Sequence, residues 1–278
     1  MGFGYYLKAV LITTSVFSCI QLPAEAANFA RSEASLKIEF DTLPQNPNAD
    51  SMRNAVAFTG DNDSVADSNA NGTLEFITEP DRAVLNLDFA SDASGNGTNY
   101  FSVGQNNAFA SNTFLVDSNE LSFDFAISLA LETVSDRKLN SSINTFSEVS
   151  FALFDNINDL SIGEFLAVGN LDTNLADGIN NDLIFAESNL NFTIDSFNQE
   201  QFFEGDSEVA IIDITGSIQQ DVVPTQVSLQ ANLYNISCIQ APQTSDPCRK
   251  AVVSESNNTV GLVLSILGIG LFYKRNKS

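Results

Sequence analysis

Between residues 121 and 131 every second side chain is large and apolar. Leu121, Phe123, Phe125, Ile127, Leu129 and Leu131 alternate with Ser122, Asp124, Ala126, Ser128 and Ala130. A strand sends successive side chains to opposite faces, so a period of two predicts a strand with one buried and one solvated face. Shorter alternations recur at Leu36, Ile38 and Phe40, at Leu74 and Phe76, at Leu85, Leu87 and Phe89, at Val149, Phe151 and Leu153, and at Leu190, Phe192 and Ile194. Two more follow at Ile212, Ile214 and Ile218, and at Val227, Leu229 and Leu233. Between them, Asp92 to Asn99, Asn156 to Asp159 and Asp177 to Asp182 are rich in Asn, Asp, Ser and Gly. These residues bond their own backbone or accept positive φ, and they predict turns. Residues 41 to 72, dense in Asn, Asp, Ser and Pro, predict a long connection or arm. The body contains no convincing amphipathic helix and no repeat of fixed period. The pattern as a whole predicts an all-β fold, an antiparallel β-sandwich, with a jelly roll favoured over a barrel.

The two ends follow a different rule. Lys8 precedes an apolar run from Ala9 to Ile20, and Ala24 and Ala26 supply the small residues that a signal peptidase reads. This predicts an export signal over residues 1–26. Near the other end, Val260 to Tyr273 is apolar or small throughout, and Lys274, Arg275 and Lys277 follow at once. As a helix those residues span about 21 Å, against roughly 30 Å for a bilayer's hydrocarbon core. The expected division is a signal peptide at 1–26, a sandwich domain at 27–250, a spacer at 251–259 and an anchor or sorting segment at 260–278. Hydrophobic helices are thus expected at both ends. A lipoprotein-like box at Val16-Phe17-Ser18-Cys19 competes with the first cut, but Phe17 is bulky for its place and Ala24-Glu25-Ala26 fits better.

Composition narrows the function classes. Without the two terminal segments, 8 basic residues face 34 acidic ones, a net charge of about −26. Such a charge keeps a body soluble and repels nucleic acid and anionic membrane surfaces, so no nucleic-acid partner is expected. High net charge also accompanies disorder, but 22 Phe and regularly spaced Val, Ile and Leu argue for a buried core. Histidine is absent, which excludes Ser-His-Asp and Cys-His catalysis and His-ligated zinc. Of three cysteines, Cys19 leaves with the export signal, so Cys238 and Cys248 are expected to pair in an oxidising compartment.

Asp67, Asn69, Asn71 and Gly72 match the first half of a calcium loop, oxygen ligands at alternate positions and a glycine for the turn. Position twelve would be Thr78, where a bidentate Glu is required. Two readings stand: a partial calcium site, or turn residues in an acidic exported protein. Beyond calcium no cofactor is expected. Paired carboxylates could support glycoside hydrolysis without histidine, yet 34 candidates select no pair, and the missing tryptophan leaves a thin aromatic platform. Sequons at Asn62, Asn71, Asn96, Asn140, Asn191, Asn235 and Asn257 are what an Asn- and Ser-rich composition supplies.

The last residues resemble the PEP-CTERM sorting signal of bacterial exported proteins: a short Glu-containing motif, a short apolar helix, then basic residues. Val253-Ser254-Glu255-Ser256 stands where that family has Val-Pro-Glu-Pro, with Glu255 kept and both prolines replaced. The resemblance covers about the last 26 residues. It implies that an exosortase-like protease of the inner membrane reads Glu255 and the basic cluster Lys274, Arg275 and Lys277. The body is then released to the cell surface or extracellular matrix. The expected function is a non-enzymatic structural, adhesive or ligand-binding protein, meeting a surface polysaccharide or another surface protein and held to the membrane by its C-terminal segment. The alternatives are a histidine-free carbohydrate-active enzyme and a calcium-dependent carbohydrate-binding module.

Overall fold

The computed structural model describes residues 28–242 and Cys248, apart from 81, 117–119, 136–140, 159, 175–178, 181, 190–191, 205 and 222–224. The predicted export signal and the segment carrying Glu255, Lys274, Arg275 and Lys277 lie outside the described residues. The hydrophobic helices expected at the two ends also fall outside the described residues.

In chain order the strands are β1 (Asn28–Phe40), β2 (Gln45–Thr59), β3 (Val65–Thr78), β4 (Ala83–Asn96), β5 (Tyr100–Val116), β6 (Glu120–Val134) and β7 (Ser142–Asp155). They continue with β8 (Leu160–Asn174), the two-residue β9 (Ile179–Asn180), β10 (Leu183–Ser188), β11 (Phe192–Glu204), β12 (Ser207–Asp221) and β13 (Thr225–Ala241). One sheet has the order β11-β12-β6-β1-β4-β3, and the other β10-β8-β7-β13-β5-β2 with β9 beside β8. Every pairing is antiparallel. Apolar side chains from both sheets share one buried cluster, so the sheets pack face to face as a β-sandwich.

The period of two at 121–131 is strand β6, its odd residues buried and Asp124 exposed. The other alternating segments lie in β1, β3, β4, β7, β11, β12 and β13, Leu190 alone falling outside the described residues. Residues 41–72 are not a connection: they form β2 and most of β3, the outermost strands on one side of the sandwich. Both are largely exposed, so they carry no strong apolar alternation for a pattern search to find. The segment from Asp92 to Asn99 also differs from expectation, because β4 continues to Asn96 before the chain turns at Gly97, whose φ of 106° suits glycine.

Among the described residues the interior has two main parts and a minor cluster of Leu131, Leu171 and Ala210. The larger is apolar and aromatic: Phe125 lies 5.0 Å from both Phe151 and Phe165, which stack on each other at 5.0 Å, and Phe192 meets Phe151 edge-on at 5.3 Å. The smaller gathers Ala30, Ala93 and Ala241 around Tyr100, Ile143 and Ile239. Between them runs a buried polar seam. Asn235 donates to the Phe89 carbonyl at 2.9 Å and the Ser32 carbonyl at 3.3 Å, both on the opposite sheet. Asn106 donates to the Ala90 carbonyl and to Asn235 Oδ1, each at 2.8 Å. Ser237 Oγ donates to the Ser91 carbonyl at 2.8 Å, and Ser32 Oγ returns a bond to the Phe146 carbonyl at 2.9 Å. These side chains bond main-chain atoms across the gap, so the sheets come close here. A Cβ on Gly104 would sit 2.2 Å from the Asn69 carbonyl oxygen.

Phe125→Asp should abolish cooperative unfolding, since it places an unpaired charge amid three phenylalanines, where even truncation of a Phe costs about 3–5 kcal/mol. Asp124→Ser, one residue along on the exposed face, should stay within about 0.5 kcal/mol of the parent. Urea melts of the two variants check this, and equal damage from both would contradict the assigned faces.

Candidate functional site

The outer faces of the two sheets carry charged and aromatic side chains. On the outer face of the first sheet Arg31 of β1 stands opposite Asp92 of β4 and Glu132 of β6. It pairs with Glu33 on its own strand and lies 3.6 Å from Asp92 through Nε. That distance makes an ion pair but no hydrogen bond, and Arg31 Nε and Asp92 Oδ1 are both buried without a hydrogen-bond partner. Burial pushes the Asp92 carboxyl up against the downward pull of Arg31, and it pushes Glu132 up in the same way. Asp88 is also raised, by burial and then by the Glu33 charge. The result is a flat acidic surface with one arginine at its centre, on strands whose edges are paired. Sequence reading passed over it because Arg31, Asp92 and Glu132 are separated by some forty residues or more, and only the β4-β1-β6 register joins them.

The outer face of the second sheet has another character. Phe58 of β2 lies 5.3 Å from Phe101 of β5, and Val56 is opposite Val103. Phe146 of β7 meets Tyr234 of β13 at 5.9 Å. Glu148, opposite Tyr234 on one side and Val168 on the other, has its carboxyl pushed up by burial. At one end of the sandwich Glu208 bonds Thr173 Oγ1 at 2.8 Å, and burial raises its carboxyl too.

Asp67, Asn69 and Asn71 lie on β3 at alternate positions, all exposed and on the outer face. This is a straight strand rather than a looped coordination site, with side chains at i, i+2 and i+4 running about 6.6–6.8 Å apart. Gly72 serves packing instead of a turn, since a Cβ there would sit 2.2 Å from the Phe89 ring. Among the described residues no group of three or more His, Cys, Asp or Glu could hold a metal ion. Other acidic residues tie down turns. Asp61 Oδ1 accepts from the amides of Asp63 and Ser64, and its bonds to Ser64 hold its carboxyl below the usual range. Asp155 accepts from the amides of Ile157 and Asn158, and Asp182 from that of Asp172. The sequon at Asn235 is fully buried in the seam, so a glycan cannot occupy it in the folded domain.

Cys238 and Cys248 are joined, their Cα atoms 5.5 Å apart and both side chains buried. Cys238 sits opposite Val103 and Asn144, on the outer face of the second sheet. The bridge therefore fixes the chain after β13 against that face. No family model, no curated protein and no solved structure matches this chain.

Replacing Cys248 with Ser should cost about 2–3 kcal/mol, the loop-closure value for a ring of this size. A change below about 0.5 kcal/mol in the denaturation midpoint would remove the bridge as a stabiliser. The pH dependence of stability should come from Asp88, Asp92, Glu132, Glu148 and Glu208, all raised. A carboxyl raised by folding holds its proton more tightly in the native state. Its contribution is complete below the ordinary carboxylate range of about 4 and is lost as pH rises through the folded value. Asp61 and Glu79 run the other way but are exposed and screened. The urea midpoint should therefore fall from about pH 5 to about pH 8, and a rising profile would contradict the assignment.

Proposed function

We propose that this chain is an exported cell-surface or extracellular-matrix protein of structural, adhesive or ligand-binding type, without catalytic chemistry of its own. A C-terminal segment resembling a PEP-CTERM signal sorts it through the membrane. The observation that carries the reading is the Cys238–Cys248 bridge, placed on the last strand just ahead of the tail. Structural cystines persist in oxidising compartments, which agrees with an export signal at one end and a sorting segment at the other. The filled interior leaves the two outer faces and the strand edges as the working surfaces, which suits contact with polymers or other proteins. We read the sandwich as jelly-roll-like, because the chain passes repeatedly between the sheets, as from β1 to β2, β4 to β5, β6 to β7 and β12 to β13. Its partners on this reading are an exosortase-like protease, a surface polysaccharide or surface protein, and the membrane through the tail.

Fractionation of cells with an antibody to the sandwich tests the sorting. The body should appear in the surface or matrix fraction, starting at Ala27 and lacking Lys277 by mass spectrometry. Neutral residues in place of Lys274, Arg275 and Lys277 together should let the apolar segment slip outward, because these charges resist translocation. Glu255→Ala should leave the protein inserted but block its release. Unaltered protein that stays full length in the membrane would make the segment a permanent anchor and end the sorting proposal.

A further inference from the structure

Among the described residues the two sheets end in four edge strands, and three of them are blunted. An exposed edge presents unpaired amides and carbonyls to any strand that approaches, and proteins obstruct it with short strands, bulges, prolines or inward charges. β10 has six residues. β11 carries a bulge between Ile194 and Ser196. β2 begins with a register shift between Gln45 and Asn48, contains Pro47, and carries Arg53 at an inward position opposite the buried Asn106. β3 has none of these devices. Its 14 residues pair with β4 from Val65–Asn96 to Thr78–Ala83 without a shift, and it contains no Pro, Lys or Arg. Its inward positions, Ala66, Ser68, Ala70, Gly72, Leu74 and Phe76, are uncharged.

From this contrast we infer that β3 is the dimerisation edge of the protein, pairing antiparallel with β3 of a second copy about a two-fold axis. The occupant follows from the outward row of the strand: Val65, Asp67, Asn69, Asn71, Thr73, Glu75 and Ile77. The centre is neutral and hydrogen-bonding, and the two acidic residues stand symmetrically toward the ends. Overlap centred on Asn71 would set Asp67 against Glu75 and is disfavoured, whereas overlap centred on Ala70 or Gly72 sets Asn69 and Asn71 against Asn, Thr or one acidic residue and keeps Asp67 away from Glu75. It also covers part of Val65 and Ile77, which are 61% and 43% exposed in the single chain. A second copy therefore brings Asn69 opposite Asn71, or Asn71 opposite Thr73, in a register displaced by one residue from Asn71, the centre of the outward row. The two-fold contact uses the same edge on both copies and so closes. The bulged β11 at the far side stops the joined sheet from growing into a filament.

The body's net charge opposes association, so dimerisation should strengthen as salt screens it. The test is sedimentation velocity on the full chain, produced with its export signal, at micromolar concentrations and at low and high salt. The parent should sediment at twice the monomer mass, more completely at high salt. Asn69→Lys, Asn71→Lys and Thr73→Lys combined should weaken association at least tenfold, because in any central antiparallel register lysine then faces lysine. The same triple variant lowers the net negative charge, so an association driven by any other surface would become tighter instead. Ser68→Pro is the second variant. It removes an amide that bonds the adjacent Asp67 carboxylate, and it should also yield monomers, with circular dichroism confirming that each variant folds. A monomeric parent at all concentrations would overturn the inference, as would a dimer that survives both variants. Neither result bears on where the cell places the protein, which fractionation decides separately.

Discussion

The structure depends on a short row of amides and hydroxyls that should not, by composition, be inside it. Asn235 and Asn106 bond each other and reach across the gap to the carbonyls of Phe89, Ser32 and Ala90. A buried amide without partners would cost about 1–3 kcal/mol, and here most of that potential is met by main-chain atoms of the facing sheet. Because those atoms are fixed in their ladders, the bonds form in only one relative placement of the two sheets. Phenylalanine packing on one side of the seam can tolerate small slides, but the hydrogen bonds of the seam cannot. Apolar burial supplies the drive to fold, and the seam selects the registry between the sheets.

The seam also explains how the chain can be so rich in Asn and Ser and still hold a core. Where the sheets approach closely, Gly104, Ser91, Ser102 and Ser237 fit and larger residues do not. Their hydroxyls are satisfied by carbonyls across the gap or by one another. On the wide side, space is taken by Phe40, Phe123, Phe125, Phe151 and Phe165. The polar belt thus sits between a large aromatic cluster and a smaller one of Ala, Ile and Tyr side chains.

Charge is divided between the outer faces in a way that bears on contact with other molecules. The first sheet presents Glu33, Asp92 and Glu132 around Arg31, and the second presents Phe58, Phe101, Phe146 and Tyr234. Burial, helped by the neighbouring Glu33 charge, makes Asp92 and Glu132 hold protons more tightly than free carboxylates, so the acidic face is least repulsive in mildly acidic surroundings.

The sequence by itself determined the strands whose buried face is greasy. Leu121 to Leu131, Leu36 to Phe40 and Val227 to Leu233 are legible because the pleat repeats every two residues and water sorts side chains by polarity. The cysteine pair was legible for a chemical reason, since two thiols close in sequence, in a chain that reads as exported, are expected to oxidise. Strand β5 was not legible, because its alternation is inverted: Ser102, Gly104, Asn106 and Asn112 face inward while Phe101, Val103 and Phe109 face out. No pattern search reads a buried asparagine as core, and for Asn106 burial is allowed by the Ala90 carbonyl that the other sheet provides. The same holds for β2 and β3, whose exposure hides the alternation, and for Arg31, Asp92 and Glu132, which meet through pairing across the sheet. Only the tertiary structure decided these, because each depends on a partner distant in sequence, while a polarity pattern records only what a residue's own strand does to it.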